Sequence, residues 1–292
     1  MSVKHEAPAS PYLLERRKTR LGFERAAQTY DSAAFIQREI GGRLLERLDL
    51  IRMQPARVLD LGCGTGAISA HLLKRYKKAQ VIGVDMALAM VEQTRQQGGW
   101  LRKPLGVCAD ARQLPFRDAA ADMLLSNLML QWCNDLPAVF REFARVLRPE
   151  GLLMFSTFGP DTLKELRVSW AQVDGYTHTS QFADMHDVGD ALLAAGFRDP
   201  VVDMETITLT YREVRGLLAD LKAIGANNAT AGRNRGLTGK ARMQAFYQAY
   251  EYFRQADGLY PATYEVVYGH AWAPRIAPAG MPAKFIPVYP VG

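Results

Sequence analysis

The stretch VLDLGCGTG, Val58 to Gly66, decides the fold. Val58, Leu59 and Leu61 read as the end of a buried strand, and Asp60, Gly62, Gly64 and Gly66 follow as D-x-G-x-G-x-G. Glycines at that spacing let the backbone turn sharply and let a ligand lie against bare main chain. Ala67 to Arg75 then reads as a helix whose N-terminus points back at the ligand. A strand, a glycine turn and a helix make a nucleotide-type cofactor site at the carboxyl end of a parallel strand.

Two cofactors compete for that loop. Gly62-x-Gly64-x-x-Ala67 satisfies the loose dinucleotide fingerprint. Asp85, ending VIGVD (81–85), is the acid expected on a ribose diol in either case, with Met86 beside it. S-adenosylmethionine is favoured because Asp60 sits where a carboxylate can receive the ammonium of a methionine moiety and would repel a pyrophosphate. Asp110 in VCADARQLPF, followed by Ala111, ends a third strand and can accept a hydrogen bond from an adenine amine. ADMLLSN ends a fourth strand in Ser126 and Asn127 and runs into LMLQW. This strand series with D-x-G-x-G-x-G at its head resembles class I S-adenosylmethionine-dependent methyltransferases. The resemblance implies an α/β, Rossmann-like seven-stranded sheet whose last strand is antiparallel.

Composition bounds the rest. A chain of 292 residues, 48% hydrophobic, can bury one α/β core with additions. No apolar run reaches the roughly 18 residues that span a membrane, and the N-terminus has no apolar signal region. Cys63, Cys108 and Cys133 have no metal-ligand spacing and read as small buried residues in a reducing cytoplasm. No metal is expected. The formal net charge is +6. Such an excess suits nucleic acid, an acidic membrane or an acidic protein, and the chain carries no nucleic-acid module.

Along the chain, residues 1–20 read as a mobile start and 21–50 as helix, with Ile36, Ile40, Leu44, Leu45 and Leu48 at helical spacing. Strands are expected at about 57–61, 81–85, 105–109, 121–126, 152–158, 201–211 and 263–273. A helix from Pro137 to Leu147 turns Val139, Phe140, Phe143 and Leu147 inward, and another over 187–195 starts with Asp187 as N-cap and stops at Gly196. The methyltransferase core is thus 21–211 and 263–274. Residues 212–262 form a helical lid between strands six and seven, and 275–292 a disordered, Pro-rich tail. In the lid, Val214, Leu217, Leu218, Leu221 and Ile224 make one stripe, while Arg212, Arg215 and Lys222 lie on another face. Arg233, Arg235, Lys240 and Arg242 follow in a Gly/Asn-rich loop.

Methyl transfer from a sulfonium is an in-line displacement, in which the enzyme aligns two groups and excludes water. A base is needed only when the acceptor carries a proton. None stands out: His178, His186 and His270 read as structural. That absence suits a carboxylate acceptor, ionised at neutral pH. Gln131 and Trp132 after strand four, with Tyr30 from the helix expected over the cofactor, are the candidates to line the acceptor pocket.

Five further segments carry a narrower resemblance: FERAAQTYD (23–31), SNLMLQWCND (126–135), LLMFSTFGPDTLKELR (152–167), DLKAIGANNATAGRNRGLTGKAR (220–242) and TYEVVYGHAWAP (263–274). They are similar to the malonyl-acyl-carrier-protein O-methyltransferases of biotin synthesis, from about residue 20 to 274. FSTFGPDTL and LKAIGAN…GRNRGLTG are the specific segments. The resemblance implies methylation of the free carboxylate of a malonyl thioester, on an acidic carrier protein docked by Arg212, Arg215 and Lys222, and more weakly by Arg233, Arg235 and Lys240. The same motifs also resemble a mitochondrial assembly factor associated with arginine hydroxylation. The cofactor loop would equally serve a methyltransferase for a small free acid, or a non-enzymatic binding protein that kept the pocket.

Overall fold

The computed structural model describes residues 10–275. The disordered tail expected over 275–292 therefore lies, after Arg275, outside the described residues, as do the first nine residues. Seven strands form one sheet: β1 (Arg57–Leu61), β2 (Gln80–Asp85), β3 (Leu105–Cys108), β4 (Ala121–Asn127), β5 (Leu147–Phe158), β6 (Arg198–Tyr211) and β7 (Tyr260–Trp272). Their order is β3-β2-β1-β4-β5-β7-β6. The first five run parallel, and β7 is antiparallel to both β5 and β6. The strand order reverses between β1 and β4, the switch point where open α/β sheets bind ligands.

Ten helices join the described strands: α1 (Arg16–Ala26), α2 (Tyr30–Ala33), α3 (Phe35–Arg47), α4 (Ala67–Arg75), α5 (Leu88–Gln96), α6 (Leu136–Val146), α7 (Lys164–Ala171), α8 (Met185–Ala194), α9 (Val214–Ala223) and α10 (Lys240–Tyr250). Strand side chains alternate between faces, so the sheet feeds two cores. Val58, Met123 and Leu125 meet Ile36, Ile40 and Leu44 of α3, Leu72 of α4, Trp170 of α7 and Phe246 of α10. Leu59, Leu61 and Leu124 meet Val139, Phe140 and Phe143 of α6 and Val188 and Leu192 of α8. None of the described helices is long and apolar enough to cross a membrane.

Several expected boundaries move. The helix expected over 21–50 is three helices, with turns at Ala27–Thr29 and Ala34, and α1 starts at Arg16, inside the segment expected to be mobile. The start of the described chain is held by main-chain bonds to the lid: Glu15 N–H donates to Ala229 O at 2.8 Å and Ala231 N–H to Leu13 O at 2.8 Å. The N-cap of α8 is Asp184, whose carboxylate accepts the His186 N–H at 2.8 Å, rather than Asp187. Strand β5 begins at Leu147 and passes through a bulge before pairing regularly with β4 from Leu152. Cys63 is buried as expected, whereas Cys108 is exposed.

The lid consists of α9 and α10 with the loop between them. The α9 stripe is as the spacing predicts: Val214, Leu217 and Ile224 are buried, and Leu218 and Leu221 pack against the same core.

Candidate functional site

Each glycine of the loop after β1 has positive φ: +71° at Gly62, +53° at Gly64 and +88° at Gly66. A Cβ at Gly62 would lie 2.4 Å from Met129 Cβ. At Gly64 the nearest atom to a Cβ would be Tyr30 Cε1, at 3.9 Å, because this glycine faces a cavity. Gly66 is the N-cap of α4 and packs under Thr94 and Gln97, out of the cavity wall.

That cavity lies at the carboxyl ends of β1 to β4. Gly62, Gly64, Asp85, Met86, Asp110, Ala111 and Asn127 line it, as the sequence leads one to expect. Asp85 Oδ2 accepts the Gly64 N–H at 3.1 Å, and Oδ1 accepts that of Ala87 at 2.9 Å. Burial pushes its carboxyl up to about 6 against those hydrogen bonds. Asp110 is held below the usual carboxylate range: burial would raise it, but hydrogen bonds and charge from Arg112, with the Arg16 guanidinium, outweigh that. Asn127 donates to Gln37 O at 3.0 Å and accepts from Ser156 Oγ at 2.8 Å.

Asp60 is placed differently from the expectation. It lies on the face of β1 that meets α4, so its carboxylate accepts the Ser69 hydroxyl at 2.6 Å behind the loop and is absent from the cavity wall. It is 1% exposed, and burial pushes it up to about 7 against the Ser69 bond.

A second cavity adjoins the first. Phe23, Tyr30, Leu128 and Trp132 belong to both walls, and Phe23 meets Trp132 edge to face with centroids 5.1 Å apart. The three side chains expected at an acceptor pocket, Tyr30, Gln131 and Trp132, are thus together in the second wall. Burial, with Asp85 and Asp31 nearby, raises the Tyr30 phenol far above neutrality, so it stays protonated. Most of the remaining wall comes from the end of β5 and the loop after it (Phe158, Thr162, Leu163), from His178 to Phe182, and from Leu221 to Asn228 of the lid. The β5 loop is pinned from β7: Glu265 Oε2 accepts the Asp161 N–H at 2.7 Å, and the Thr162 hydroxyl donates to Glu265 O at 3.0 Å.

Sequence reasoning missed the contribution of the N-terminal segment. Leu14 and Arg16 line the first cavity, and Glu24 of α1 accepts the Leu88 and Ala89 N–H groups at the start of α5. The FERAAQTYD motif was the available signal. His178, expected to be structural, lines the second cavity. Among the basic residues, Arg212, Arg215, Lys222, Arg235 and Lys240 are exposed. Arg233 is not free as a docking group: its side chain is 12% exposed and forks onto Glu15 at 2.6 and 2.9 Å. Its partner comes from the segment expected to be mobile, which is why the sequence hides the pair.

The sheet order and the glycine cavity define a class I methyltransferase, and a family model described as a methyltransferase domain matches residues 59–155. Two solved structures share the fold: a Bacillus halodurans protein assigned as a methyltransferase (TM-score 0.57, 16% identity, 80% of this chain and 98% of that one) and the YcgJ protein of Bacillus subtilis (TM-score 0.55, 16% identity, 79% and 97%). Relatives named malonyl-[acyl-carrier protein] O-methyltransferase are much more similar. That of Gallionella capsiferriformans is 53% identical, covering 91% of this chain and 94% of the relative. Those of Laribacter hongkongensis (54%; 91% and 92%) and Legionella pneumophila (46%; 86% and 88%) match as broadly. The chain belongs to the malonyl-[acyl-carrier protein] O-methyltransferase family.

The loop geometry can be probed at two glycines. Gly64→Ala costs about 1 kcal/mol of backbone strain but puts its methyl into the first cavity. By calorimetry it should keep a Tm within a few degrees of the parent and bind S-adenosylmethionine at least ~10-fold more weakly, whereas Gly62→Ala, driven against Met129, should lose more than about 2 kcal/mol. Unchanged affinity in Gly64→Ala would contradict the placement of the cofactor.

A second test concerns pH. Asp60 titrates at 3.8 ordinarily and at about 7 when folded, so the folded chain holds a proton that the unfolded chain releases between those values. The resulting stability is full below the lower value and lost as pH rises through the upper one. Asp60→Asn keeps an acceptor for Ser69 and does not titrate, so its Tm relative to the parent should climb between pH 5 and 8; a constant difference contradicts the burial argument.

Proposed function

We infer that the protein transfers a methyl group from S-adenosylmethionine to the free carboxylate of a malonyl thioester on an acyl carrier protein, giving the malonyl-carrier methyl ester that opens pimeloyl synthesis for biotin. The observation that carries this reading is where the family-specific segments lie. FSTFGPDTL and LKAIGAN supply wall of the second cavity, while the generic glycine loop supplies the first.

The residues present fit the cofactor. Gly64 leaves bare backbone on the cavity, and Asp85 offers a carboxylate at its wall for a ribose diol. Asp110, Ala111 and Met86 would flank the adenine, with Asn127, Gly62 and the loop main chain toward the methionine end. Asp60, bonded to Ser69 behind the loop, would support the loop's shape rather than touch the ligand. When bound, S-adenosylmethionine supplies an electrophilic methyl on a sulfonium. The chain's part is alignment and dryness. Phe23, Leu128, Tyr30 and Trp132 form the partition where the cavities meet and keep water off the line of transfer. A malonyl carboxylate, with a reference pKa near 4, is already ionised at neutral pH and needs no base. Tyr30, held protonated at the partition, takes no proton from it.

The carrier is proposed to dock on the exposed cations of the lid, Arg212, Arg215, Lys222, Arg235 and Lys240. Arg233 instead fastens the lid to the N-terminal segment.

The reading is tested by incubating the protein with S-adenosylmethionine and malonyl-carrier and weighing the carrier. A gain of about 14 Da on malonyl-carrier and none on acetyl-carrier is expected. No gain with cofactor binding intact would overturn it. Charge reversal at Arg212→Glu with Lys222→Glu should raise the KM for malonyl-carrier about 10-fold at low salt, flatten its salt dependence and leave kcat unchanged. Identical kinetics would remove this face from docking.

A further inference from the structure

The second cavity would have to recognise an anion, yet its wall contains no lysine and no arginine. It also contains no aspartate or glutamate to repel one. Its polar side chains are amides, hydroxyls and one imidazole, that of His178. Among the wall's groups, His178 alone can carry a positive charge.

Three parts of the fold lock that imidazole. Its ring lies flat on Trp170 of α7, with centroids 3.9 Å apart and planes 2° from parallel, and Trp170 in turn stacks on Phe246 of α10 at 4.4 Å. Nε2 lies 2.8 Å from Asp174 Oδ1, and Arg242 of α10 holds the other Asp174 oxygen at 3.3 Å. The preceding residue is clipped to the lid: Thr177 N–H donates to Gly232 O at 3.1 Å, and the Asn228 amide donates to Thr177 O at 2.5 Å. Burial would raise the Asp174 carboxyl, but the His178 and Tyr176 hydrogen bonds and Arg242 hold it below its ordinary value. Asp174 is therefore an anion, and Nε2 carries the proton of that hydrogen bond. Nδ1 has no protein partner among the described residues.

We propose that His178 binds the acceptor carboxylate through Nδ1–H and makes the cavity selective for a malonyl over an uncharged acyl group; this rests on the function proposed above. A carboxylate at Nδ1 and Asp174 at Nε2 flank the ring with two anions; as the acid binds, Nδ1 takes up a proton from water, and the resulting imidazolium donates from each nitrogen. One acceptor oxygen is held by the ring and the other is left free to attack the methyl group. His178 moves no proton in the transfer. It positions the nucleophile and excludes acyl groups that leave the donor unpaired.

The experiment measures binding with S-adenosylhomocysteine present, so that nothing turns over. Malonyl-carrier and acetyl-carrier share every carrier contact, so the ratio of their dissociation constants isolates the carboxylate. In the parent this ratio should be at least ~10 in favour of malonyl, the range of a charged hydrogen bond. His178→Phe keeps the stack on Trp170 and removes both donors, so its ratio should fall to about 1. His178→Asn, which can place an amide near Nδ1, should lie between. In the ¹⁵N-labelled parent, which needs no variant, the His178 ring nitrogens should shift to imidazolium values with malonyl-carrier and not with acetyl-carrier. A ratio in His178→Phe equal to the parent's, a parent ratio near 1, or ring nitrogens indifferent to malonyl-carrier would each overturn the proposal. The function itself is judged separately by the 14 Da gain in the parent, which stands even if the carboxylate is held elsewhere.

Discussion

The Asp85 carboxylate accepts the N–H of Gly64 with one oxygen and that of Ala87 with the other. One buried group thereby ties the loop after β1 to the loop after β2. Keeping an ionised group there costs free energy, visible in the upward push of its titration. The benefit is geometric. With both loops fixed, Gly62 and Gly64 hold an open cradle against which α1 and α2 can close, bringing Phe23 and Tyr30 over the cavity.

From that constraint the division of labour follows. The first cavity is built on strand ends and glycine turns, parts common to the fold class. The second is built largely on the β5 loop, the segment before α8 and the lid, which are mostly irregular where they line it, Leu221 of α9 being helical. Such a wall holds its shape through buried polar contacts. Glu265 clasps the β5 loop, Glu165 accepts from Thr263 N–H at 3.1 Å, and Asp174 fixes His178. Methyl transfer to a carboxylate asks for alignment and dryness rather than proton traffic, and an aromatic partition with polar walls behind it provides both.

Much of this is legible in the chain. The D-x-G-x-G-x-G turn and the acids at successive strand ends point to the sheet and the first cavity, because backbone sterics and strand periodicity act locally. Asp60 departs from its expected place because its direction depends on which face of β1 meets α4, a tertiary fact. Arg233 and His178 depart from theirs for a related reason. The partner of Arg233 lies 218 residues away in sequence, and the wall His178 joins is assembled from segments dispersed between Phe23 and Tyr264. The segments of family resemblance mark the second cavity without revealing its chemistry. The helix expected over 21–50 breaks twice because the chain must turn over the cofactor loop, and no strong breaker residue announces it.

Donor and acceptor are expected to occupy the two adjoining cavities and meet at Tyr30 and Trp132. A crystal structure of the protein with S-adenosylhomocysteine and malonyl-pantetheine should show the ribose at Asp85 and the malonyl carboxylate in the second cavity, one oxygen within roughly 3–3.5 Å of where the methyl would sit. A malonyl group seated outside that cavity, or an adenosine away from Asp85, would contradict this arrangement.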